Sequence, residues 1–158
     1  MNITALLIGL TFSMAIISLL IGIHVLIKLK SGHGFWQFSI LFFLEFIYAF
    51  GYTMELASSQ MDAKMIFNHI QYFAIPFIAV AWLYVARKFC DTQYNAKFWH
   101  YAVLGIVPLI TFISVQLSYF TGFDLYYSSA EMTAYPLFGS ETMSVMTLTK
   151  GPLYYLNA

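Results

Sequence analysis

The stretch ITALLIGLTFSMAIISLLIGIHVLI, from Ile3 to Ile27, contains no charged side chain. At about 1.5 Å of rise per residue, a helix of this length exceeds the roughly 30 Å hydrocarbon core of a bilayer. A cleaved leader would place basic residues ahead of a shorter apolar core. Here Lys28 and Lys30 follow the run, so it reads as a permanent anchor. Working outward, a second apolar run extends from Phe35 to Ala57, interrupted by Glu45 and Glu55. A third runs from Ile66 to Ala86 and a fourth from Phe98 to about Phe123, both uncharged. The reading is an all-α integral membrane protein with spans near 3–27, 35–57, 66–86 and 98–120. These form one partial membrane domain over residues 1–158.

Composition agrees. Apolar residues make up 61% of the chain and charged ones 9%, against about 45–50% and about 25% in soluble domains. The bilayer is therefore the first partner. A formal net charge of zero argues against nucleic acid, which needs a basic face. The single cysteine, Cys90, excludes an intrachain disulfide framework. No phosphate-binding glycine loop, zinc-protease helix or nucleophile elbow occurs, and no lysine lies within a span to anchor a Schiff base. No catalytic residue, cofactor or metal is expected.

Basic residues set the orientation. Lys28 and Lys30 fall in the first connection, and Arg87, Lys88 and Lys97 in the third, while Lys64 and Lys150 fall on the other side. The first group is assigned to the cytoplasm. The N-terminus, the Ser58–Met65 loop and the segment 121–158 are then outside, in a multi-pass protein of a bacterial inner membrane. Phe35, Trp36, Phe98, Trp99, Tyr119 and Phe120 suit the two interfaces. In the final segment, weak alternation in LYYS (Leu125–Ser128) and MSVMTLT (Met143–Thr149) suggests a β-hairpin-like element, and Pro152 suits the first turn of a helix.

Polar residues within the spans are the candidates for function. Glu45, Tyr48, Tyr52 and Glu55 recur every three or four residues and form one stripe. A carboxylate at mid-membrane costs about 2.5–3.5 kcal/mol on insertion scales, so Glu45 must be neutral or hydrogen-bonded within the bundle. Asn68, Gln71 and Tyr72 share a face of the third helix. A short turn centred near Met61 would hold Tyr52 and Glu55 at the depth of Asn68, Gln71 and Tyr72. These five residues could line an outward-opening site for a small molecule, or tie the helices together. Ala5, Gly9 and Ser13, four apart on the first helix, suit close helix packing, and Pro76 and Pro108 each favour a bend.

The segments EFIYAFGYTME (Glu45–Glu55) and NHIQY (Asn68–Tyr72), the mid-helix Pro76 and Pro108, and GPLYY (Gly151–Tyr155) carry a family resemblance. Together they resemble the N-terminal seven-helix sensor region of bacterial histidine kinases, a region also found on diguanylate cyclases. The resemblance implies a signal-input module with an outside N-terminus, missing its later helices and a cytoplasmic kinase or cyclase output domain, and compatible with a homodimer. It names no ligand. Two rival readings stand beside it: a transporter or channel subunit using Glu45 as a proton or cation site, and a membrane cytochrome holding haem between His24 and His100.

Overall fold

In hydrocarbon the backbone finds no water to satisfy its N–H and C=O groups, so apolar runs must close their hydrogen bonds internally as helices. The computed structural model describes residues 3–28, 36–90, 98–121, 126–136 and 142–156. Lys30, His33, Phe35, Lys97, Asp124 and Leu125 lie outside the described residues. The helices are α1 (Ile3–Lys28), α2 (Trp36–Ala57), α3 (Met61–Tyr72), α4 (Ile75–Cys90) and α5 (Phe98–Thr121). Among the described residues, four helical stretches are long and apolar enough to span: Ile3–Lys28, Trp36–Ala57, Met61–Arg87 and Val103–Phe120. Most large apolar side chains of α1 and α5 are exposed, as lipid-facing surfaces require.

The third span differs from its expected bounds. It begins at Met61 rather than Ile66 and is broken between α3 and α4. Pro76 has no N–H to offer the carbonyl four residues back. Around it the chain tightens: Phe73 N–H bonds the Ile70 carbonyl (3.1 Å), Ala74 N–H bonds Gln71 (2.9 Å) and Phe77 N–H bonds Ala74 (2.9 Å). Pro108, by contrast, lies inside α5 without ending it.

The expected small-residue contact on α1 is also displaced. A Cβ on Gly9 would meet nothing within 4 Å, and Ser13 is exposed, bonding the Gly9 carbonyl of its own helix. The crossing with α2 lies further along, at Gly22. There a Cβ would come within 3.3 Å of Phe42 Cβ, and the buried Ser39 hydroxyl donates to the Gly22 carbonyl at 2.8 Å. Ala15 is fully buried on the same helix. Spacing of small residues identified the helix but not its contacting face.

α2 packs on α1, α3 and α4, and α5 closes against α4 and α3. Beyond α5, β1 (Tyr127–Pro136) and β2 (Thr142–Lys150) pair antiparallel, so the hairpin expected from alternation is present. A 3₁₀ helix, Pro152–Leu156, follows and opens on Pro152. The hairpin docks through a cluster of Tyr72, Val115 and Tyr126, joined by Ile75, Tyr127 and Tyr154. It thus sits at the end of the bundle that carries the α2–α3 turn.

Candidate functional site

α2 ends at Ala57 and leaves its last carbonyls without helical donors. Lys64, one turn into α3, supplies one: its Nζ donates to the Glu55 carbonyl at 2.7 Å. A cation at a helix C-terminus is favoured by the macrodipole as well. Lys64 is 1% exposed, so this is a buried cap. On the same face of α3, Gln71 Nε2 donates to Glu55 Oε2 at 2.5 Å, and the Asn68 side chain lies within electrostatic reach of that carboxylate. The Lys64 ammonium lies within electrostatic reach of it. Gly51 makes the approach possible, because a Cβ there would stand 2.7 Å from Gln71 Cγ and 3.1 Å from the Phe67 carbonyl.

Of the five residues expected to share a site, Glu55, Asn68 and Gln71 are brought together between α2 and α3. Tyr52 is 38% exposed and stacks on Tyr48 at 6.3 Å along the flank of α2, within electrostatic reach of Glu55. Tyr72 is also within electrostatic reach of Glu55, but its hydroxyl is taken by the hairpin. Its hydroxyl hydrogen-bonds that of Tyr127, and its ring meets Tyr126 and Tyr127 edge-on, each at 5.8 Å. Glu45 of α2 lies near the Trp82 side chain of α4.

The sequence assigns Lys64 to a loop and counts it only toward orientation, whereas it lies inside the third span, Met61–Arg87. Starting α3 at Met61 makes it helical and places it one turn before Asn68 and two before Gln71 on a common face. Asp62, an acidic residue in the first turn, was the available signal for that earlier start.

The tyrosines form a clamp. Tyr72 is the last residue of α3, immediately before the break. Tyr126 packs on Tyr154 at 5.6 Å, and its carbonyl accepts from Gly151 N–H at 2.8 Å. Lys150 lies 4.3 Å above the Tyr154 ring. The hairpin and the 3₁₀ helix are thereby fastened to the junction of α3 and α4. The strand register shifts between Tyr127 and Ser129, leaving Ser128 as an extra residue. Such a bulge re-aims neighbouring side chains. Tyr127 reaches Tyr72, and Ser128 and Ser129 both face the space beneath the hairpin.

That space is a cavity of about 310 Å³ between α3, α5 and the hairpin. Asn68 and His69 of α3, Ser118 and Tyr119 of α5 and the two bulge serines give it a polar side. Met65, one turn from His69 on α3, and Met146 and Leu148 of the hairpin add apolar lining. The His69 ring lies 4.0 Å from that of Tyr119, while its Nδ1 is buried with no hydrogen bond among the described residues. Asn68 belongs to both sites. It lines the cavity and lies within electrostatic reach of the Glu55 carboxylate.

Compared with known proteins, residues 10–158 match the model of a family described as the N-terminal 7TM region of histidine kinase. Neither a curated protein nor a solved structure matches the chain.

Proposed function

The chain belongs to the family of N-terminal seven-transmembrane regions of histidine kinases, and from that premise we propose that it takes in a signal through its hairpin and passes it to α4 at the proline break. The membrane region is the sensory part of such a kinase and is not itself catalytic. The hairpin end faces outward in this reading, supported by the basic residues Lys28, Arg87 and Lys88 at the opposite helix ends.

The observation that carries the proposal is the Tyr72 clamp. The residue that ends α3 is the one the hairpin grips, so any shift of the hairpin acts where the span is least constrained by its own hydrogen bonds. Signalling then needs only two packings of this junction that differ by a few kcal/mol, with a ligand favouring one. In the full-length kinase in lipid nanodiscs, Tyr72→Phe and Tyr127→Phe each remove the hydroxyl contact while keeping the ring. Both should change basal autophosphorylation by about three- to tenfold in the same direction, and the double variant by no more than either alone. Unchanged autophosphorylation in all three would sink the reading.

A further inference from the structure

We propose that the cavity beneath the hairpin binds a small uncharged molecule, polar at one end and apolar at the other, and that Asn68 couples its occupancy to Glu55. At about 310 Å³ the cavity is at the small end of the roughly 300–1,000 Å³ typical of ligand pockets. No Asp, Glu, Lys or Arg lines it among the described residues. An ion entering would lose its hydration without gaining a counter-charge, so the lining selects neutral molecules.

One wall offers hydrogen bonds. His69 Nδ1 is buried without a partner among the described residues, a rarity in folded proteins. The Tyr119 ring holds the imidazole in place. A hydroxyl or amide group on the ligand would bond Ser118 and the bulge serines, and would reach His69 Nδ1 through a turn of the ring, because that atom exposes no surface to the cavity as it stands. The rest of the lining, with Met65 one turn from His69 on α3 and Met146 and Leu148 on the hairpin, suits a short apolar body of adaptable shape.

Asn68 gives the site its consequence. Asn68 lines the cavity and also lies within electrostatic reach of the Glu55 carboxylate, which Gln71 bonds. A ligand that engages Asn68 therefore acts beside the Glu55–Gln71 bond and so perturbs the α2–α3 contact. Tyr127 lines the cavity as well as joining the clamp; that binding is a signal rests on the function proposed above.

The test uses three photoreactive probes on the full-length kinase in nanodiscs: an alkyl diazirine ending in an alcohol, the same chain ending in a carboxylate, and the same chain ending in an ammonium. Labelled positions are mapped by mass spectrometry, with the lipid-facing residues of α1 as internal reference. The alcohol should label residues 65–69, 127–130 and 146–148, and the charged probes about tenfold less. Ala130→Trp, which fills the cavity, should abolish this labelling. His69→Phe, which keeps a ring against Tyr119, should reduce it about three- to tenfold while α1 labelling is unchanged. Equal labelling by the charged probes overturns the ligand class. Absence of cavity labelling, or labelling indifferent to both variants, overturns the site. Either failure leaves the Tyr72 and Tyr127 autophosphorylation results standing, so the two proposals fail separately.

Discussion

Gly51 of α2 lies so close to Gln71 of α3 that an added Cβ would stand 2.7 Å from Gln71 Cγ. Gln71 cannot easily swing aside, because its amide is bonded to Glu55 at 2.5 Å. The Phe67 carbonyl, at 3.1 Å, is backbone and cannot yield. Gly51→Ala should therefore cost about 1–3 kcal/mol. Gly22→Ala, meeting Phe42 Cβ at 3.3 Å, should cost less. Gly9→Ala, in open space, should be neutral or stabilising by up to about 1 kcal/mol. Thermal unfolding of the three variants in one detergent reads the order directly, and a different order would contradict the two helix crossings.

The buried Lys64 is expected to act through the Glu55 carbonyl and carboxylate together. Lys64→Met removes the shorter of the two bonds to the Glu55 carbonyl and leaves it the Ser58 N–H at 3.3 Å, at a cost of about 0.5–1.5 kcal/mol. It also removes the nearby positive charge from the carboxylate. Glu55→Gln deletes that second liability, so the double variant should lose less stability than the two singles added together. A double-mutant cycle in denaturant measures the coupling. Strict additivity would mean that Lys64 serves only as a helix cap.

How far these contacts were legible in the sequence depends on what each required. Span number and hairpin followed from charge-free length and alternation, which are local properties. Glu55, Asn68 and Gln71 were grouped correctly because helical spacing and a short turn suffice to bring them together. Tyr72 lies near Glu55 as the spacing suggests, but its hydrogen-bond and ring partners Tyr127 and Tyr126 were not foreseeable, since they come from a segment over fifty residues later. The cavity was invisible for the same reason. Its polar side joins α3, α5 and a bulge at Ser128, and no periodicity announces a bulge.

Deleting Ser128 tests whether the bulge is used. Without the extra residue, the register from Ser129 onward is continuous with Tyr127 on one ladder, and successive side chains alternate strictly. Tyr127 or the serine pair must then leave its present direction. The deletion should abolish the response of the full-length kinase to its signal while the protein still reaches the membrane. A retained response would show that neither contact matters.

Orientation is open to direct chemical measurement. In a Cys90→Ala background, single cysteines at the exposed Ser59 and Glu131 should react with an impermeant maleimide in spheroplasts. Both lie at the hairpin end of the bundle. Reaction only after permeabilisation would invert the topology and place the cavity in the cytoplasm.

The proline break gives the last prediction. Pro76 withholds a donor from the Tyr72 carbonyl, and the neighbouring bonds contract to three-residue spacing at Phe73, Ala74 and Phe77. Pro76→Ala restores an N–H and removes the ring, so α3 and α4 can join as one regular helix. Two effects should appear together. Spin labels at the exposed Ile66 and Leu83 should report a longer, narrower distance distribution by pulsed electron resonance, as a kink straightens. Autophosphorylation should become insensitive to Tyr72→Phe, because the clamp would then pull on a stiff rod rather than a joint. The pairing matters. Straightening with the Tyr72 effect intact would leave the clamp important but the break irrelevant, and the signal would have to pass through α5, which Val115 joins to the same cluster. Loss of both together is what transmission through the break requires.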